Sequence, residues 1–117
     1  MNSKINVQPD KAVVEKKIYS MLGLAKKAGR IGSGAFMTER SVRSFKAYMV
    51  IVAADSSENT KKKFRDNCSF YEIPYYEFGD KDSLGHALGN EMRASVAVND
   101  PGMAKSLEVL FEQLKNL

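Results

Sequence analysis

The chain has 117 residues, 44% apolar and 27% charged, with 18 Lys and Arg against 14 Asp and Glu for a formal charge of +4. That length fits one domain with a real core and excludes a multi-domain enzyme, and the composition excludes a disordered chain. A single cysteine, Cys68, and a single histidine, His86, exclude an internal disulfide framework and a cysteine-built zinc site, so no metal and no cofactor is expected.

Residues 1–9 precede the first periodic segment and are expected to form a flexible N-terminal extension of a single domain spanning 1–117. The first residues, MNSKINVQPDK, lack the apolar stretch of a secretory signal. No run in the chain approaches the roughly 18 apolar residues of a membrane span. A cytoplasmic, monomeric protein without membrane contact is the expectation.

From Pro9-Asp10 onward, Val14, Ile18, Met21, Leu22 and Ala25 recur at helical spacing, while Lys16, Lys17, Lys26 and Lys27 fall mostly elsewhere. Gly29 ends this helix. After a short apolar step at Ile31, Gly32 and Gly34 bracket the start of a second helix. Ala35, Thr38, Val42 and Phe45 give it a buried stripe, and Phe36, Met37, Arg40 and Arg43 occupy the other face. YMVIVAA, residues 48–54, is continuously apolar and β-branched at Val50, Ile51 and Val52, which predicts a central strand covered on both faces.

Asp55-Ser56-Ser57 supplies a turn and a cap for a third helix. Thr60, Phe64, Cys68 and Tyr71 form its inner side, and Lys61, Lys62, Lys63 and Arg65 face mainly solvent. Cys68 therefore reads as core. Residues 73–77 form a short strand with Pro74 at its start. GDKDSLGHALG gives a short helix capped by Asp80 or Asp82 and stopped at Gly89. Ala94 to Val98 is another apolar strand. Asp100-Pro101 caps a last helix carrying Met103, Leu107, Leu110, Phe111 and Leu114. The order α-β-α-β-α-β-α-β-α predicts an α/β protein, a three-layer sandwich with helices on both faces of a parallel or mixed sheet.

Charge is unevenly spread over these elements. Residues 1–47 hold ten Lys or Arg against Asp10, Glu15 and Glu39, a net of +7, and the remainder sums to −3. A basic first half is the footprint of a polyanion-facing surface, though solvated lysines on helix backs leave the same mark. Gly32-Ser33-Gly34 sharpens it, because a helix N-terminus offers unpaired N–H groups and partial positive charge to a phosphate. Lys26, Lys27, Arg30 and Arg40 lie close by in sequence, so four cations are expected to converge on one phosphate backbone. No Walker pattern occurs, GSGAFM lacks the third glycine of a dinucleotide fingerprint, and His86 has no predictable acid or nucleophile partner. Asp55, Asp80, Asp82 and Asp100 are accounted for by turns and caps.

MLGLAKKAGRIGSG, VAADSSENTKKK and LGHALG, taken in that order, resemble the kink-turn RNA-binding ribosomal protein superfamily, of the archaeal seven-Ae and eukaryotic thirty-e type. The nearer likeness is to its small bacterial YlxQ branch, over about residues 13–114. The resemblance implies an α-β-α sandwich with a four-stranded mixed sheet and an RNA surface built from three segments. In that family the second helix starts GxNExxK. With its glycine at Gly34, its asparagine falls on Phe36, its glutamate on Met37 and its lysine on Arg40. Only the glycine and the cation are kept, so relaxed kink-turn specificity is expected.

The second segment implied is the turn at Ala54-Asp55. The third is the loop of Asn90, Glu91, Met92, Arg93 and Ala94, which packs apolar groups against an unstacked nucleotide. His86 stands where a lysine is frequent. The expected RNA-binding set is Lys26, Lys27, Arg30, Ser33, Gly34, Phe36, Met37, Arg40, Arg43, Asp55, Glu91, Met92 and Arg93. Phe36, Met37 and Met92 suit the splayed bases of structured RNA.

Three functions of different class follow. The first is a non-enzymatic protein that binds structured ribosomal or ribosome-associated RNA. The second is a protein–protein adaptor that uses Phe36, Met37 and Met92 as a patch. The third is an accessory domain of an RNA-modifying enzyme, whose catalytic part this chain has no room to hold.

Overall fold

The computed structural model describes residues 10–117. The extension expected for residues 1–9 lies outside the described residues. Helical and strand periods alternate along the chain, and the backbone follows them. The elements are α1 (Lys11–Lys27), β1 (Ile31–Ser33), α2 (Ala35–Arg43), β2 (Met49–Val52), α3 (Glu58–Tyr71), β3 (Tyr75–Glu77), α4 (Lys81–Ala87), β4 (Ser95–Val98) and α5 (Pro101–Lys115).

The strands form one mixed sheet in the order β1-β4-β2-β3. β4 runs antiparallel to both β1 and β2, and β2 runs parallel to β3. Every residue of β2 and β4 is buried, as expected of central strands covered on both sides. Alternate side chains divide between two cores. Met49, Ile51, Val96 and Val98 meet Ile18 and Leu22 of α1, Leu84 of α4 and Leu107 of α5. Val50, Val52 and Ala97 meet Val42 of α2 and Phe64 and Cys68 of α3. This is the three-layer sandwich that the alternating order predicts. Each large apolar side chain so buried contributes about 1.5–3 kcal/mol relative to exposure. Burial pushes the Cys68 thiol up to about 11, which makes it an inert core residue.

Four helices begin at a side-chain cap. Asp10, Ser57, Asp80 and Asp100 accept the N–H of Val13, Thr60, Ser83 and Met103 at 3.0, 3.1, 2.8 and 2.9 Å. Each such cap stabilises its helix by about 1 kcal/mol.

Two parts of the helical reading change. The inner stripe of α2 is Thr38, Ser41 and Val42; Ala35 is exposed and Phe45 is 79% exposed. The helix stops at Arg43, and Phe45 turns into the left-handed region at φ 61, which breaks the helical period and throws its ring outward. On α3, Lys62, Lys63 and Arg65 are exposed as expected, but the side chain of Lys61 is only 14% exposed, and all three lysines make ion pairs. Lys61 approaches Glu58 and Glu77 at 3.6 and 3.8 Å, Lys62 pairs with Asp66 at 2.7 Å, and Lys63 pairs with Glu39 at 3.0 Å.

Candidate nucleic-acid interface

Register fixes which loops share an end of the sheet. Val52 pairs with both Ser95 and Glu77, and Ser33 pairs with Val96. The start of α2, the β2–α3 turn, the start of α4 and the loop ahead of β4 therefore gather at one end. Backbone hydrogen bonds lock them there. The N–H of Gly34 donates to the Ser95 carbonyl at 2.9 Å, and that of Ala53 donates to the Ala94 carbonyl at 2.9 Å. Below them the hydroxyl of Ser95 meets that of Thr38 at 3.1 Å in the core.

Asp55 faces across this end to α4. Its Oδ1 accepts the N–H of Lys81 at 3.0 Å, and the Lys81 carbonyl accepts the N–H of Arg93 at 3.0 Å. Asp55 thus reaches the 90–94 loop through one residue of α4. Gly85 allows the loop to lie against the helix, since a Cβ there would overlap the Glu91 carbonyl. Gly32 plays the same part for α2, where a Cβ would meet Ser41 Oγ at 2.7 Å.

The helix start differs from the other four. Gly34 is the N-cap of α2 at φ 87, and no side chain caps it, so the first-turn N–H groups keep their donors and their partial positive charge. Arg93 lies beside it. A Cβ at Gly34 would sit 3.9 Å from Arg93 Cδ and 4.0 Å from Nε. Arg93 Nη1 donates to the Met92 carbonyl at 2.9 Å, while Nε is buried with no acceptor. A buried donor left without a partner is unusual in a folded protein. An anionic oxygen seated at the helix start would meet the first-turn N–H groups with the Arg93 guanidinium close by.

Around this seat the surface is apolar and cationic. Phe36 is 73% exposed, Met92 54% and Met37 43%. Arg40 is exposed one turn further along α2, with no ion pair among the described residues. Arg43 pairs with Glu39 at 3.2 Å, and Glu39 also takes Lys63. Lys63 first, then Arg43, holds the Glu39 carboxyl below its ordinary range. Glu91 is exposed on the loop, and Ser33 is half-buried at the end of β1.

The four-cation convergence expected around Gly34 is not formed. Arg30 stands at the opposite end of the sheet, separated from Gly34 by β1, and approaches Asp100 at 3.9 Å. Lys26 turns to α4, where Nζ donates to the Leu88 carbonyl at 3.4 Å, and Lys27 is exposed in the last turn of α1. His86 is exposed on α4. Among the described residues, no group of three His, Cys, Asp or Glu is arranged to hold a metal, and no helix is long and apolar enough to cross a membrane. The structure adds Lys81 as a backbone hub, and non-local contacts of that kind leave no sequence signal. Gly85 did leave one, as a glycine inside a seven-residue helix.

The chain matches the family model described as "Ribosomal protein L7Ae/L30e/S12e/Gadd45 family" over residues 16–108. It is similar to the RNA-binding protein YlxQ of Bacillus subtilis (strain 168), 36% identical over 94 residues, covering 80% of this chain and 94% of that protein. It is also similar to the RNA-binding protein YlxQ of Enterococcus faecium, 37% identical over 97 residues, covering 83% and 93%. A solved structure of a protein of unknown function from Bacillus halodurans aligns with TM-score 0.79 at 33% identity, over 82% of this chain and 97% of that one. The 15.5kD RNA binding protein of Giardia lamblia shares the fold, with TM-score 0.73 at 16% identity over 99% and 98% of the two chains.

Proposed function

Because the chain belongs to the ribosomal protein L7Ae/L30e/S12e/Gadd45 family, in the company of the YlxQ proteins, we propose that it is a non-enzymatic RNA-binding protein. Its RNA face is the end of the sheet where α2 starts and the 90–94 loop lies. The observation that carries this reading is the uncapped start of α2 beside the unpartnered Nε of Arg93. Two donor sets with no protein acceptor suit a phosphate of the RNA backbone, and Arg40 extends the contact along the strand.

Phe36, Met37 and Met92 lie against bases that leave the stack. Phe36 and Met37 stand where the kink-turn binders carry Asn and Glu, and neither offers hydrogen bonds to a guanine edge. The protein therefore binds structured RNA, ribosomal or ribosome-associated, with relaxed preference for a kink. It acts in the cytoplasm as a monomer.

Fluorescence anisotropy with a labelled kink-turn hairpin tests the placement. Arg40→Ala weakens binding by roughly 1–2 kcal/mol with thermal stability unchanged, because the side chain lies outside the core. Binding also weakens steeply with salt, as phosphate contacts release counterions. A folded variant with wild-type affinity would remove α2 from the interface. Affinity indifferent to salt would favour the adaptor reading.

A further inference from the structure

The end of the sheet remote from the proposed RNA face carries a second unpartnered feature. Where β2 and β3 begin, a notch of about 180 Å³ opens between the α2–β2 and α3–β3 connections, lined by Phe45, Tyr48, Tyr71, Glu72, Ile73 and Pro74. Phe45 is 79% exposed and Tyr48 47% exposed. Of the lining rings, Tyr71 holds Phe45 edge-on at 5.6 Å between centroids, and outside the lining it also meets the exposed Phe70 at 5.0 Å. Three aromatic side chains thus line a notch on the scale of one long side chain.

The backbone at this notch is held against its preference. Phe45 at φ 61 and Glu72 at φ 57 are the two non-glycine residues of positive φ among the described residues, and both line it. Glu72 ends α3 in the left-handed conformation that glycine adopts at no steric cost. Strain of this kind gathers at ligand clamps.

Charge chooses the occupant. Glu72 is the single charged residue lining the notch, and among the described residues its carboxylate has no ion-pair partner. Lys46 is exposed but outside the lining, and Arg43 is held by Glu39. A carboxylate among electron-rich rings repels a phosphate backbone and leaves a neutral apolar peptide with a desolvated charge. It suits a cation, which gains from both the ring quadrupoles and the carboxylate. We infer that this notch receives an arginine or lysine side chain from a protein partner, at a site separate from the RNA face. β2 spans the distance between them, with Met49 toward the notch and Val52 toward the RNA face, so both can be occupied together.

Titrating the isotope-labelled protein with N-acetyl-arginine amide, N-acetyl-lysine amide and the neutral isostere N-acetyl-citrulline amide, followed by amide and aromatic NMR shifts, tests this. Saturable shifts are expected at residues 45–48 and 71–73 with either cation and not with citrulline. Glu72→Gln weakens the cations by about fivefold. Glu72→Gly raises the melting temperature by relieving the left-handed backbone yet loses the same binding, which separates recognition from folding. Equal response to citrulline would make the notch a plain apolar pocket. Shifts scattered over the protein's other carboxylates would make the binding non-specific. Displacement of the cations by a kink-turn hairpin, with the hairpin shifting residues 45–48, would assign the patch to RNA. Any of these three results would overturn the inference.

Discussion

Gly34 and Arg93 come from segments about sixty residues apart, yet they define the seat on which the RNA reading rests. Beyond its chain neighbours nothing lies closer than 3.9 Å to where a Cβ would stand at Gly34, so the cost of an alanine there is the backbone, which at φ 87 and ψ 163 lies in a region essentially reserved for glycine. Gly29, at φ 72 with nothing within 4 Å, supplies a second positive-φ glycine as a control just past the end of α1. In urea titrations Gly29→Ala should lower unfolding stability by about 1 kcal/mol and Gly34→Ala by more, about 1–3 kcal/mol. Only Gly34→Ala should also weaken RNA binding, because its methyl group stands between the helix N–H groups and the Arg93 side chain. Equal losses of RNA affinity in the two variants would make Gly34 a turn residue and nothing more.

At the scale of elements, α2 joins the interface to the core and is tied to α3 through Glu39. Because Lys63 and Arg43 hold the Glu39 carboxyl below its ordinary value, the contribution is present above about pH 4.3 and is lost as pH falls through the lower folded value. Glu39→Gln should then cost about 0.5 kcal/mol at pH 7, a surface-pair magnitude, and nothing once pH has fallen past the lowered folded value. A variant less stable by the same amount at both pH values would mean that packing, not charge, is lost.

α2 also shows where reading the sequence succeeds. Its glycine start and its exposed Phe36-Met37-Arg40 face were legible from local chemistry and spacing. Phe45 was not, because a helical period gives no warning that the chain will leave the helix at Ser44 and enter the left-handed region. The capping segments were legible because a cap acts within three residues of itself; the structure then selects Ser57 from Asp55-Ser56-Ser57 and Asp80 over Asp82. The Asp55–Lys81–Arg93 chain was not, because it joins three connections that meet only once the sheet has formed.

In the whole molecule, the order β1-β4-β2-β3 decides which loops can cooperate. It brings the start of α2, the turn after β2 and the loop before β4 together, and it sends Arg30 to the other end. The basic residues of the first two helices and the turn between them are therefore not all gathered at the end where those loops meet, since Arg30 pairs with Asp100 away from it. On the proposed reading, phosphate contacts along α2 act together with apolar cover from Phe36, Met37 and Met92, a combination that holds RNA while reading little of its sequence. The direct measurement is the affinity of the wild type and Phe36→Ala for a kink-turn hairpin and for the same hairpin with its sheared pairs disrupted, at matched salt. The wild type should bind both within about 4 kcal/mol of each other, less than the usual gap between specific and non-specific sites, and Phe36→Ala should weaken both. A wider gap in favour of the intact kink, or Phe36→Ala binding both RNAs as the wild type does, would contradict the account.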